Sequence, residues 1–242
     1  MVEQGGPELI VVGAGISGSE AAYACAQAGM NVLLVTTSLD TAYNLTGEGS
    51  VVEPPHGSLM ANLVSTPSDP ITTFALHRRA KAALEAQPNL HLLQSSVSGL
   101  LVEGRQVCGV TTWEGVDRRA PRVALCAGSF LQARLRIGTL TETSGRLSEM
   151  AYDDLYDDLE HRGFSFEDVT LEAPESRGAL PYSVTCRRVA SDEWDAERFI
   201  LRRLEGLYAA GVCVAGYLTY EEAARQGLDL AARILTKPSV SP

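Results

Sequence analysis

Four consecutive branched apolar residues, Leu9-Ile10-Val11-Val12, run into Gly13-Ala14-Gly15-Ile16-Ser17-Gly18. This is the pattern of a strand covered on both faces that turns directly into a helix. The helix is expected over Ser17 to Ala28 with Gly29 as its stop, and Val32 to Thr36 reads as a second buried strand. Thr37 to Pro70 has no apolar period, is rich in Ser, Thr, Gly and Pro, and is broken by Pro54-Pro55 and Asp69-Pro70. A long irregular segment that leaves the carboxyl end of a sheet strand lies where α/β proteins bind ligands. The spacing of Phe74, Leu76, Ala80, Ala83 and Leu84 then predicts a helix from Pro70 to Glu85, ended by Pro88-Asn89.

Short strands follow at Leu90 to Gln94, Ser96 to Val102 and Val107 to Trp113, the last two joined by a hairpin turn at Gly104-Arg105; Arg122 to Cys126 is the next apolar strand. Residues 150–163 read as an acidic helix around Leu155 and Leu159. Residues 164–195 show little periodicity. Arg198 to Leu207 reads as helix, Gly206 to Ala215 as a final strand and Tyr220 to Leu235 as a closing helix, with a tail from Pro238. The pattern is α/β. It predicts a Rossmann-like, doubly wound parallel sheet with a small β-meander inserted between parallel strands. The expected organisation is one domain over 1–242, with its core in 8–95 and 121–236, the meander at 96–120 and a shortened irregular region at 151–205.

At 242 residues the chain can bury a good core but is short for two full domains, and 45% hydrophobic with 21% charged residues is ordinary for a globular protein. The first eight residues are acidic and glycine-containing, and the apolar run after them is too short for a signal sequence or a membrane span. The five cysteines, Cys25, Cys108, Cys126, Cys186 and Cys213, are scattered and never form Cys-x-x-Cys. They fit a reducing, cytoplasmic setting in which most fill core positions. A net charge of −10 opposes binding of nucleic acid over the whole surface. The basic clusters Arg78-Arg79-Lys81, Arg118-Arg119-Arg122 and Arg134-Arg136 read as solvated faces.

The candidate chemistry lies in the glycines. Gly13 permits a tight turn, Gly15 lets a pyrophosphate approach the backbone, Gly18 lets helix and strand pack closely, and the helix N-terminus points its N–H groups at an anion. Two further glycine turns follow apolar strands, Ala127-Gly128 and Ala210-Gly211-Val212, and in a doubly wound sheet such turns collect at one edge. The position after the second strand, where an acidic residue usually holds a ribose, carries Thr36-Thr37. That weakens an NAD reading and leaves FAD open. Among other candidates, His56 reads as a solvated loop histidine, and Asp153, Asp154, Asp157 and Asp158 as a solvated helix face. Cys213, after the last strand, is a candidate redox thiol. The absence of a Gly-x-Ser-x-Gly elbow argues against a serine hydrolase.

Several segments together resemble a family. They are Gly13-Ala14-Gly15-Ile16-Ser17-Gly18-Ser19-Glu20-Ala21-Ala22, Leu39-Asp40-Thr41, residues 83–90, Ala127-Gly128-Ser129-Phe130-Leu131, Gly145-Arg146 and the run Tyr220-Glu221-Glu222-Ala223-Ala224-Arg225-Gln226-Gly227. The chain resembles the FAD domain of the GidA/MnmG tRNA-uridine modification proteins, whose relatives include the folate-dependent tRNA uridine methyltransferases. The resemblance implies a flavoprotein in which Gly13, Ala14, Gly15, Ile16, Ser17 and Gly18 bind the FAD pyrophosphate and Thr36-Thr37 lie near the adenosine ribose. Val97 would meet the adenine through its backbone, and Ala127 and Gly128 would flank the pyrophosphate. Gly211 and Val212 would approach the ribityl and flavin, and Asp40 to Gly49 the isoalloxazine. It further implies an oxidoreductase acting in tRNA modification with NADH or NADPH as electron donor.

The departures from the family bear on the reaction. Gly47 stands where larger members have a loop cysteine that takes part in catalysis, so no catalytic residue is assigned. The stretch 151–205 is too short for an inserted nicotinamide-nucleotide domain, and the sequence stops where a tRNA-binding helical domain begins. These departures favour an alternative, a non-catalytic flavin-binding accessory module acting with a partner chain that would supply tRNA binding.

Overall fold

In the computed structural model, the residues described are 5–45, 53–64, 72–173 and 180–236. β1 (Leu9–Val12) leads through the glycine turn into α1 (Ile16–Gln27) and β2 (Val32–Thr36), followed by α2 (Leu59–Leu63), α3 (Thr73–Ala86) and β3 (Leu90–Gln94). β4 (Val97–Glu103), β5 (Gln106–Thr112) and β6 (Asp117–Arg119) form the meander, and β7 (Val123–Leu125) returns to the main sheet. Then come β8 (Arg134–Ile137), β9 (Leu140–Glu142), β10 (Ser144–Arg146), β11 (Glu149–Met150), α4 (Asp153–His161), β12 (Phe166–Ala173) and β13 (Tyr182–Val189). The chain closes with β14 (Trp194–Asp195), β15 (Ile200–Leu201), β16 (Leu207–Ala209), α5 (Val212–Ala215) and α6 (Tyr220–Thr236).

The main sheet has the order β14-β15-β16-β7-β1-β2-β3, with β16, β7, β1, β2 and β3 all parallel. β1 is the middle strand of these five, and all four of its side chains are fully buried because both faces of the sheet are covered. Leu9 and Val11 face a core built with α1, α2, α3 and α6. Ile10 and Val12 face a second core built with the meander and α4. The β-meander is a separate three-stranded antiparallel sheet, as its turn residues predict.

α4 is fastened to the meander by Asp158, which accepts from Leu100 N at 2.9 Å and pairs with Arg162. The sequence pattern puts this aspartate on a solvated face. The structure turns it inward, because Gly99 has no side chain and lets the Asp158 carboxylate approach the β4 backbone. Among the described residues no group of acidic, His or Cys side chains is arranged to hold a metal ion, and no helix is long and apolar enough to cross a membrane.

Three segments differ from the expected pattern. Residues 164–195, with no legible period, contain β12 and β13, which pair antiparallel over eight residues and join β8 and β9 in a four-stranded sheet. One face of that pair carries Val169, Leu171, Val184 and Cys186 and the other Asp168, Thr170, Thr185 and Arg187. Charged residues and short apolar ones blur the alternation. Arg198 to Leu207 is not helical: Phe199 (φ 58°) and Gly206 (φ 76°) take left-handed conformations, and Ile200–Leu201 pair as a strand with Trp194–Asp195. The final strand is only Leu207–Ala209, ended by Gly211 at φ 86°, after which Val212–Ala215 form one helical turn.

α6 packs across α1 at very close range. A methyl group added at Gly227 would lie 2.4 Å from the Ser17 carbonyl oxygen and 2.6 Å from the Glu20 Cβ. Gly227→Ala is therefore expected to force the two helices apart and destabilise the protein by about 2 kcal/mol. Urea unfolding should show a lower midpoint with an unchanged slope.

Candidate functional site

The carboxyl ends of β1 and β7 meet at two glycine turns, and their closeness is set by backbone contact. A methyl group on Gly13, which has φ 105°, would lie 2.2 Å from the Cys126 carbonyl oxygen; one on Gly18 would lie 2.0 Å from the Gly13 carbonyl oxygen. Gly15 differs from both. It caps α1 with an ordinary φ of −67°, has no side-chain cap, and a methyl group there would meet nothing within 4 Å. Space therefore opens where the N–H groups of the first α1 turn converge, the arrangement that receives an anion.

Around this space a recess of ≈ 70 Å³ is lined by Gly13, Ala14, Gly15, Thr36, Thr37, Thr41, Cys126, Ala127, Gly128, Phe130, Arg146, Glu149 and Tyr152. Seven of the sequence-derived site residues thus meet at one place: Gly13, Ala14, Gly15, Thr36, Thr37, Ala127 and Gly128. Thr36 Oγ1 donates to the Ser38 carbonyl, and Tyr152, whose hydroxyl pKa is pushed up by burial, hydrogen-bonds with Thr37. Ile16, Ser17 and Gly18 stand in the α1 turn just behind, where Ser17 Oγ donates to the Ala223 carbonyl of α6. Gly211 lies beside Ser17, and its N–H donates to Gln226 Oε1 at 2.9 Å. Val212 begins α5, and the Val97 side chain is fully buried in the core under the meander. None of these last six lines the recess.

Residues 41–44 form the outer wall. Tyr43 N donates to the Ala14 carbonyl at 2.7 Å, so this segment sits directly on the glycine turn. From above, Arg146 pairs with Glu149 and donates to the carbonyls of Thr41 and Asn44, while Thr41 Oγ1 donates to Glu149 Oε2 at 2.8 Å. From below, the fully buried Glu20 of α1 accepts from the Tyr43 hydroxyl, from Leu59 N at 2.7 Å and from Met60 N at 2.9 Å. Tyr43 itself holds a left-handed φ of 55°. His77 Nδ1 lies 2.6 Å from the Ala42 carbonyl oxygen, and Lys81 pairs with Asp40.

Sequence reasoning gave Glu20, Phe130 and Glu149 no role. For Glu20 a signal existed, since it is the one acidic residue in an otherwise apolar and small-residue helix. Gly47 and the rest of 46–52 lie outside the described residues. His56 is exposed, as expected of a solvated loop histidine.

A glycine-lined edge of a parallel sheet, with an open helix N-terminus, defines a Rossmann-like dinucleotide-binding domain. The fold is shared with a thioredoxin reductase from Gloeobacter violaceus, 12% identical, at a TM-score of 0.55 over 99% of each chain. The sequence profile of glucose inhibited division protein A, GidA, matches residues 8–71 and 70–172, and the chain belongs to that family. A GidA-related protein from Thermus thermophilus is 40% identical, with a TM-score of 0.86 over 96% of this chain and 99% of that one. The tRNA uridine 5-carboxymethylaminomethyl modification enzyme MnmG of Chlamydia trachomatis serovar A is 33% identical over 185 residues, 65% of this chain and 30% of the enzyme. The chain therefore spans about a third or less of the length of the MnmG relatives it matches. GidA of Aquifex aeolicus, 16% identical, superposes with a TM-score of 0.83 over 98% of this chain and 67% of that one.

The family is one of FAD-binding flavoproteins. The residues present fit the pyrophosphate portion of that cofactor: three glycines set the turn, the open face of Gly15 gives room, and the α1 N–H groups supply donors. At ≈ 70 Å³ the recess is smaller than a site that encloses a whole dinucleotide.

Two expectations follow from burial. Desolvation raises the Glu20 carboxyl above its ordinary value of 4.5, against the opposing hydrogen bonds from Tyr43, Met60 and Leu59. With the folded value above the unfolded one, its contribution to stability is complete below the unfolded value and is lost as pH rises through the folded value. Glu20→Gln should remove this part of the pH dependence, and equal slopes of unfolding free energy against pH in the two proteins would refute the assignment. Cys213 is buried, with its thiol pushed up to about 12 by desolvation. It should resist thiol reagents in the native protein, with and without reductant, and label only on unfolding.

Proposed function

We propose that this chain binds FAD at the glycine-lined sheet edge and serves as a flavoprotein oxidoreductase related to the tRNA wobble-uridine modification proteins. The observation that carries the reading is the convergence of the Gly13–Gly18 and Ala127–Gly128 turns, with the Gly15 face open to an anion. Bound flavin would supply the electron-transfer chemistry. The chain's own residues would bind and orient it. Gly13, Ala14, Gly15, Ile16, Ser17 and Gly18 would hold the pyrophosphate, and Ala127 and Gly128 would flank it. Thr36 and Thr37 would lie beside the adenosine ribose and the Val97 backbone beside the adenine. Gly211 and Val212 would face the ribityl and flavin end. NADH or NADPH is the proposed electron donor, with tRNA engaged through a partner protein. The proposed setting is the cytoplasm, which the five free cysteines support. In this reading, residues 1–242 are one FAD-binding domain with a meander at 96–120.

A second reading, a flavin-binding accessory module that does no chemistry alone, is favoured by what lines the recess. Arg146 and Glu149 are bound to each other, and burial holds the Cys126 thiol well above its ordinary range, so among the described residues no ready nucleophile or free acid faces the space.

The visible absorption spectrum of the purified protein, followed by chromatography of the compound released on denaturation, tests the cofactor. Flavin bands and released FAD are expected; a colourless protein that takes up no added FAD would refute both readings. Bleaching of the bands by NADH or NADPH would favour the oxidoreductase, and flavin retained without bleaching the accessory module. Gly15→Asp gives a specific control. It adds an N-cap to α1, so thermal stability is kept, and sets a carboxylate where the pyrophosphate would lie, which should weaken FAD binding by about a hundredfold.

A further inference from the structure

At the sheet edge opposite the glycine turns, where β7 and β16 begin, four arginines share one groove. It has a volume of ≈ 450 Å³ and is lined by Gly104, Arg105, Arg162, Arg202, Arg203 and Leu204. These come from the β4–β5 hairpin tip, the C-terminal cap of α4 and the turn between β15 and β16. Backbone bonds fix the walls to one another: Glu205 N donates to the Arg105 carbonyl at 2.7 Å, Val107 N to the Glu205 carbonyl at 2.9 Å and Arg202 N to the Glu193 carbonyl at 2.9 Å.

The guanidinium groups fall into two kinds. Arg162 is locked through Nε and Nη2 to Asp158 and through Nη2 to the Leu100 carbonyl. Arg203 is locked through Nε and Nη2 to Glu193 and lies over the Phe164 ring. Neither uses its Nη1 in these bonds. Arg202 has only a long ion pair, 3.7 Å to Asp195, and Arg105 is exposed with no carboxylate partner among the described residues. Asp158, Glu193 and Asp195 are engaged with these arginines, and Asp192 acts on Arg203, yet no carboxylate lines the groove. Two fixed guanidinium groups and two loosely held ones thus line one concavity in a chain of net charge −10.

We propose that this groove is a second anion site, taking a small ligand that carries two or more phosphate groups. Planar guanidinium forks match phosphate oxygens, and two spatially fixed donors with two adaptable ones suit a ligand presenting several oxygens in a row. An RNA strand is the poorer match, because the groove offers no aromatic face on which bases could stack. The site is independent of the FAD reading, since its residues share nothing with the glycine turns.

The test is calorimetric titration with inorganic triphosphate at low and at moderate salt, with and without added FAD. Binding that weakens with salt and survives FAD is expected. Arg105→Ala with Arg202→Ala breaks no bidentate pair, so the fold is kept and affinity should fall by about tenfold or more. No binding at millimolar triphosphate, binding abolished by FAD, or binding unchanged in the double variant would each overturn the proposal. A short single-stranded RNA binding tightly where triphosphate does not would overturn the ligand class.

Discussion

The structure depends on how closely bare backbone can approach bare backbone at the end of β1. With 2.2 Å between the Cys126 carbonyl oxygen and the place a Gly13 side chain would take, and 2.0 Å between the Gly13 carbonyl oxygen and that of Gly18, no other residue fits. That contact brings β7 against β1 and seats α1 on the sheet with its N-terminus facing outward. Gly227 extends the same closeness to α6, so strand, turn and two helices form one stack of small residues. Of Gly13, Gly15, Gly18 and Gly227, Gly15 alone has an open face, and that is where the anion-receiving space lies.

Around that point the chain uses polar groups in place of apolar packing. Segment 41–44 has little apolar surface to bury apart from Ala42 and Tyr43, so it is tied down by Glu20 from within the core and by Arg146 and Glu149 from the surface. A buried carboxylate is costly unless its acceptor capacity is used. Here three donors converge on Glu20, and two of them are the first backbone N–H groups of α2, which complement the cap that Ser58 provides to Ala61 N. One side chain therefore both caps a short helix and fixes the wall of the candidate site.

What the sequence made legible follows the same division. Elements buried on one or both faces with a clear apolar period were readable: β1, β2, α3, the meander and α6; α1 was readable from the glycine turn before it and its stop at Gly29. The glycine turns were readable because their spacing has a mechanical reason. β12 and β13 were not, since their inward residues are few and interrupted, and their pairing is set by β8, a strand distant in sequence. Arg198 to Leu207 carries helix-compatible residues, and only the left-handed Phe199 and Gly206, which depend on tertiary contacts, exclude the helix. In the candidate site, the backbone-built half and the 41–44 wall were legible, while Glu149 and Tyr152 were not, because they meet Thr41 and Thr37 only across long sequence separations.

The place of β16 and α6 bears on how the chain acquires its fold. β16 pairs with β7, and α6 rests on α1, roughly two hundred residues away along the chain. The first helix thus leaves its small-residue face without a partner until the final quarter of the sequence is available, so local order near the N-terminus cannot by itself complete the core. Contacts of such range make folding slow compared with chains whose contacts are local. The glycine-lined edge, whose helix α1 rests against α6, accordingly takes its final form only when that contact closes.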